Sequence, residues 1–167
     1  AEEADWDHLY RLAARAADAG LGVTAHAGEF SAANIAAALR TPGLTRLGHA
    51  VYAATDPRLL DRLGACGVTV ECSLSCNVVL GAVPSYEEHS IRRFVECGIP
   101  VALCTDDPVQ VCTTIGREYA IAAALGFSPA DLLGFTANAI CASFMPRARK
   151  AALLAALRGS GAATTER

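Results

Sequence analysis

Three short stretches bring together side chains able to do acid–base or metal chemistry. "HAGE" sets Glu29 three residues after His26. "RLGHA" sets His49 behind Gly48, a residue that lets another part of the chain approach closely. "TDDP" sets Asp106 beside Asp107 where the apolar run "VALC" stops. Each has an ordinary explanation alone. A histidine at the end of an apolar strand is more often structural than a ligand, and one aspartate before a proline reads as a helix cap. Two adjacent carboxylates are harder to dismiss, because they repel each other and are costly to bury without a cation. A divalent metal and a hydrogen-bond donor from a ligand remove that cost. Taken together, the three motifs outweigh their separate explanations.

Something must hold these residues in one place. The periodicity predicts a helix over 3–19 with Gly20 as its stop, then a strand "LGVTAH" ending at His26. A helix "SAANIAAALR" follows, with Ser31 as N-cap, and a strand "LTRLGHA" ends at His49. Asp56 and Pro57 open a third helix, "GVTVEC" is a third strand, and "EEHSIRRFVECG" is a helix closed by Gly98. "IPVALCT" is a fourth strand ending at Asp106, and helical patterns cover 113–125, 129–142 and 147–158. Residues 1–158 read as one domain, and 159–167, "GSGAATTER", as a disordered tail. The alternation of strand and helix indicates an α/β fold with parallel strands. His26, Glu29, His49, Glu71, Asp106 and Asp107 all fall near strand ends, which in a parallel α/β barrel form one rim. No GxGxxG or GxxxxGKS opens a helix, so the fingerprints of dinucleotide and P-loop folds are missing.

Composition narrows the field further. The 167 residues are 53% hydrophobic and 19% charged with a net charge of −3, which fits a globular domain and gives no electrostatic case for nucleic acid or an anionic membrane. No apolar run has the length of a membrane span. Seven cysteines is an odd number, which favours reduced thiols and a cytoplasmic location over a disulfide framework. Cys72 and Cys76 read as buried thiols, since the H-x-E…P-C-x-x-C signature is absent. Arg92, Arg93, Arg147 and Arg149 read as solvated helix faces, and His89 as a helix cap more than a pocket residue.

"HAGE", "RLGHA" and "TDDP", in this order and at these separations, resemble the adenosine deaminases of the metal-dependent amidohydrolase superfamily. "EYAIAAALGFS" after "TDDP" is similar as well. The resemblance implies a (β/α)8 TIM-type barrel, a catalytic Zn2+ and hydrolytic removal of the 6-amino group of a purine nucleoside. It implies that His26 and Asp106 are zinc ligands, and that Glu29 protonates the purine ring nitrogen. It further implies that His49 orients the attacking water and takes its proton, and that Asp107 binds the substrate ring. Chemistry supports such a division. An aromatic carbon bearing an amine is a poor electrophile until the adjacent ring nitrogen is protonated, so an acid is needed opposite the water.

The resemblance covers nearly the whole chain but only the second half of the family's pattern. Its HxH pair, which supplies two further ligands, has no counterpart here, and a catalytic zinc site usually has three protein ligands. The "CSLSCN" stretch and His89-Ser90 also depart from the family's habits. Four strands make the C-terminal half of a barrel, with two open edges. The expected partners are therefore a small-molecule purine and a missing N-terminal half or a second copy of this chain. Adenine and aminodeoxyfutalosine are alternative substrates. An amidohydrolase acting on an amide or ester, and a non-catalytic half-barrel without a complete metal site, are readings from other classes.

Overall fold

The structure is a computed structural model that describes residues 5–163. Helix α1 spans Trp6–Asp18 and is capped by Asp5, whose side chain accepts from the His8 amide. Strand β1 (Val23–Ala27) leads to the single-turn helix α2 (Ile35–Ala38) and then to β2 (Leu44–His49). A 3-10 helix (Val51–Thr55) precedes α3 (Pro57–Cys66), and β3 (Thr69–Cys72) runs into the short α4 (Leu74–Val79). Helix α5 (Ile91–Glu96) and strand β4 (Val101–Leu103) follow. Three helices end the chain: α6 (Ile115–Ala124), α7 (Pro129–Ala142) and α8 (Arg147–Ala163).

The four strands form one parallel sheet in the order β1-β2-β3-β4. Parallel strands need crossovers, and helices on the sheet supply both the connection and the apolar cover. Leu47, Val70, Val101 and Leu103 of the strands are buried against Leu60 and Leu63 of α3, Phe94 of α5, Ala122 of α6 and Phe135 of α7. The Asn138 side-chain amide donates to the Val101 carbonyl at 2.9 Å, tying α7 to β4. Because the strands are parallel and in simple order, His26, His49, Cys72 and Leu103 near their C-terminal ends lie along one edge of the sheet.

Several sequence expectations need correction. Ser31 is not the N-cap of an extended helix: its hydroxyl accepts from the Ala33 amide, and the helix begins only at Ile35. Asn34 precedes that helix, but its side chain is committed to the Gly28 amide at 2.9 Å, so it bends the loop after β1 instead of capping. The helix closed by Gly98 starts at Ile91, not near Glu87. The α4 turn and the 3-10 helix lie in stretches where no regular structure was expected. The expected tail is helical through Ala163, and residues 164–167 lie outside the described residues. Asp56 and Pro57 open α3 as expected, and α7 has the expected limits, with a Ser128–Asp131 capping box. No helix among the described residues is long and apolar enough to cross a membrane.

Candidate active site

Two of the strand ends leave in a conformation that ordinary residues avoid. His49 has φ 68° and Asp106 φ 55°, both in the left-handed region. The cost is about 1–2 kcal/mol per residue, though Asp and His tolerate it better than most. Such strain persists where the surroundings over-determine it, and it collects at functional sites. Here it turns both side chains onto the rim.

Glu29, His49 and Asp106 converge there, each offering an atom within 4.8 Å of the others. His49 Nε2 stands 3.6 Å from Glu29 Oε2 and 3.9 Å from Asp106 Oδ2, too far for direct hydrogen bonds. That nitrogen is buried and has no hydrogen-bond partner. An orphaned polar atom between two carboxylates marks a place for a further group. Burial, more than anything else, holds the His49 imidazole below its ordinary pKa, against the upward pull of Glu29.

His26 stands beside this cluster. Its ring meets that of His49 edge-on, with centroids 4.8 Å apart and planes at 89°. Gly48 makes room for it, since a Cβ there would lie 2.5 Å from His26 Cδ2. The close approach expected at Gly48 thus serves His26 on the neighbouring strand. Gly28, at φ 73°, turns the chain from β1 toward Glu29, and a Cβ there would meet Ile35 Cδ1 at 2.6 Å. A cavity of about 430 Å³ opens beside His26 and Glu29, walled by Phe30, Ser31 and Asn34.

The two acids of "TDDP" part company. Asp106 Oδ2 accepts a hydrogen bond from Cys76 Sγ at 3.0 Å and faces His49. Asp107 Oδ1 takes the Gln110 amide at 3.4 Å in the following turn. Glu71, at the end of β3, is paired with Arg46 at 3.2 Å and does not join the cluster.

The residues that sequence reasoning missed are Cys76 and Asn77 of α4 and the groups that hold them. Cys76 is buried as expected of a structural thiol, yet it binds Asp106 directly; burial first, then this hydrogen bond, push it up to about 12. Asn77 is fully buried and places its amide nitrogen 3.1 Å from His49 Nδ1 and 3.5 Å from Glu29 Oε1. Its carbonyl oxygen lies 3.2 Å from His89 Nε2. His89 is both a cap and a site neighbour, because its Nδ1 accepts from the Ile91 amide at 3.1 Å. Glu118, also fully buried, anchors α4 from behind by accepting from the Ser75 amide at 3.1 Å and the Thr113 hydroxyl at 2.6 Å. A buried polar stretch such as "SLSCN" was the available signal.

The adenosine deaminase family model matches residues 3–159. The chain belongs to the adenosine deaminase family. It is 42% identical over 144 residues to an adenine deaminase of Rhizobium leguminosarum bv. trifolii, covering 85% of this chain and 45% of the relative. Among solved structures it resembles adenine deaminase from Arthrobacter aurescens (TM-score 0.82, 32% identity, 90% of this chain and 46% of that one). It also resembles a Burkholderia ambifaria amidohydrolase with bound zinc (TM-score 0.79, 27% identity, 93% and 43%). The chain therefore spans about half the length of the curated relatives it matches. Its four parallel strands and flanking helices are the C-terminal half of a TIM-type barrel.

The donor types suit a metal. Zinc takes imidazole nitrogen and carboxylate oxygen. The 3.6 and 3.9 Å separations around His49 Nε2 leave room for a further atom between the two carboxylates. Glu29, Asp106, His49 and the adjoining His26 are thus a donor set from which a metal's ligands can be drawn.

Proposed function

We propose that this chain carries the acid–base side of a hydrolytic 6-aminopurine deaminase site. The reaction breaks the C–N bond to the exocyclic amine, forms a C–O bond from water and releases ammonia. The carrying observation is that Glu29, His49 and Asp106, from three separate strand ends, meet within 4.8 Å. His26 and Asp106 would hold zinc, completed by ligands from outside this chain; bound zinc lowers the pKa of water from about 15.7 to about 7 and so supplies hydroxide at neutral pH. Glu29, half-buried beside the cavity, delivers a proton to the purine ring nitrogen. His49 Nε2 hydrogen-bonds the attacking water in the space between the two carboxylates. Cys76 holds Asp106 by Oδ2, the oxygen that faces His49. Asp107, whose Oδ1 accepts from the Gln110 amide in the following turn, would bind the substrate ring.

Two of the relatives named above are adenine deaminases, which favours the free base over the nucleoside expected from the sequence. The test is made in a complete enzyme carrying this segment, with metal content and turnover measured together. Asp106→Ala loses metal and activity together. Glu29→Gln keeps the metal and loses turnover, because an amide cannot deliver the proton. Asp107→Ala keeps the metal and loses rate through poorer positioning. Full turnover by Glu29→Gln would sink the proposal. The isolated chain, with two such ligands, is expected to show negligible turnover. Absence of metal from every form, the complete enzyme included, would instead favour a non-catalytic half-barrel.

A further inference from the structure

The hydrogen-bond chain behind His49 fixes more than its position. It can be followed outward from a backbone amide whose direction is not in question. The Ile91 N–H donates to His89 Nδ1 at 3.1 Å, so that nitrogen carries a lone pair. His89 is 3% exposed, and burial pushes its pKa down to about 4, so it is neutral at pH 7 and its one ring proton is on Nε2. That N–H needs an acceptor, and the atom 3.2 Å away is the oxygen of Asn77. The Asn77 amide nitrogen then faces His49 Nδ1 at 3.1 Å and Glu29 Oε1 at 3.5 Å. The opposite amide orientation fails at both ends. It sets N–H against N–H at His89, and oxygen against a carboxylate oxygen at Glu29. An amide N–H pointing at His49 Nδ1 requires a lone pair there. The proton of neutral His49 is therefore on Nε2.

We propose that His89 and Asn77 lock His49 in the tautomer protonated on Nε2, so that it meets the atom held between Glu29 and Asp106 as a hydrogen-bond donor. Asn77 is fully buried and His49 2% exposed, so water does not replace either partner. The unpartnered His49 Nε2 is then an unpaired N–H aimed at the site, which calls for an oxygen acceptor from outside the protein. Two consequences follow. A nitrogen that carries a proton has no lone pair for a metal, so the lock removes His49 from the donor set and leaves His26 as its imidazole. The role of proton acceptor that the family resemblance implies for His49 is also closed in this tautomer; His49 orients the attacking oxygen and stabilises negative charge on it. Asn77 and His89 are positioning residues in this scheme. The lock stands on hydrogen bonds alone, while its use in catalysis rests on the deaminase reading.

The lock is tested on this chain without any activity measurement. Long-range proton–nitrogen NMR spectra report which ring nitrogen of each histidine bears the proton, and the chain has only four histidines. At pH 7 His49 and His89 are both expected as Nε2–H tautomers. Asn77→Asp keeps the shape but offers His49 an acceptor, so its proton should move to Nδ1. His89→Phe frees the Asn77 amide to turn, so His49 should become a mixture of tautomers. Backbone amide spectra establish that each variant is folded. An Nδ1–H tautomer for His49 in the unsubstituted chain overturns the lock whatever the variants do. An unchanged His49 tautomer in folded Asn77→Asp overturns it equally. A failure of the deaminase reading would leave these spectra as predicted, so the two claims fail separately.

Discussion

Replacing Gly48 by alanine separates the fold from the site. The new Cβ would lie 2.5 Å from His26 Cδ2, 3.0 Å from Nε2 and 3.1 Å from Cγ. Comfortable carbon contacts are about 3.5–4.0 Å, so something must retreat by about 1 Å. The neighbour in the way is a side chain on an exposed residue, not backbone, so the His26 ring swings out. The move gives up the edge-on contact with His49, which is worth about 0.5–1.5 kcal/mol at most for so exposed a ring. Against it, replacing glycine within a strand gains about 0.5–1 kcal/mol of backbone entropy. The two nearly cancel, so stability should change by less than about 1 kcal/mol, read from urea midpoints at constant slope. The ring-to-ring contact between His26 and His49, read from proton cross-relaxation, should vanish. In a complete enzyme, metal content should fall with it. A loss of more than about 3 kcal/mol, the range of a severe core defect, would refute the reasoning. It would mean that the backbone of β1, not the ring, yields to the methyl group. An intact ring contact would refute it from the other side.

Glu118→Gln puts an amide nitrogen where one of two accepting carboxylate oxygens stands, so the buried Ser75 amide and Thr113 hydroxyl lose a charged acceptor and Thr113 must turn to Ser75 Oγ at 3.2 Å. It should cost about 1–3 kcal/mol in chemical denaturation, and more than Glu96→Gln on the exposed face of α5. His89 makes the fold acid-sensitive. Its folded pKa of about 4 lies below the ordinary value of 6.5, so the unfolded chain binds the extra proton and stability is lost as pH falls from 6.5 toward 4. The loss approaches about 3 kcal/mol, and a folded His89→Phe variant should show a correspondingly flatter profile over that range. Iodoacetamide at pH 8 should modify the exposed Cys66, Cys97, Cys112 and Cys141 of the native chain and spare Cys72 and Cys76, as read by peptide mass spectrometry. The last two are buried and held far from the thiolate form.

The alternation of strands and helices is legible in the residues, because helix and strand periods and caps are local properties. Asp56-Pro57 opens α3, and Ser128 with Asp131 opens α7, with no help from the rest of the molecule. The sequence also marks His26, Glu29, His49 and Asp106, since each ends or follows an apolar run at a place where parallel strands share a rim. Ser31 shows where local reasoning stops. The residue has the right type for a cap, but Asn34 is drawn to the Gly28 amide and the helix starts later. What stands behind the rim follows from packing between elements distant in the chain. The bonds from Asn77 to Glu29 and His89, from Cys76 to Asp106 and from Glu118 to the Ser75 amide span 12 to 48 residues, and the residue types say nothing alone about what they meet. A hydrogen bond depends on position within a few tenths of an ångström, and that position is set by how β2, β3 and α4 pack. The pattern of residues names the groups that can act; the packing decides which nitrogen of His49 points at them, and with which proton.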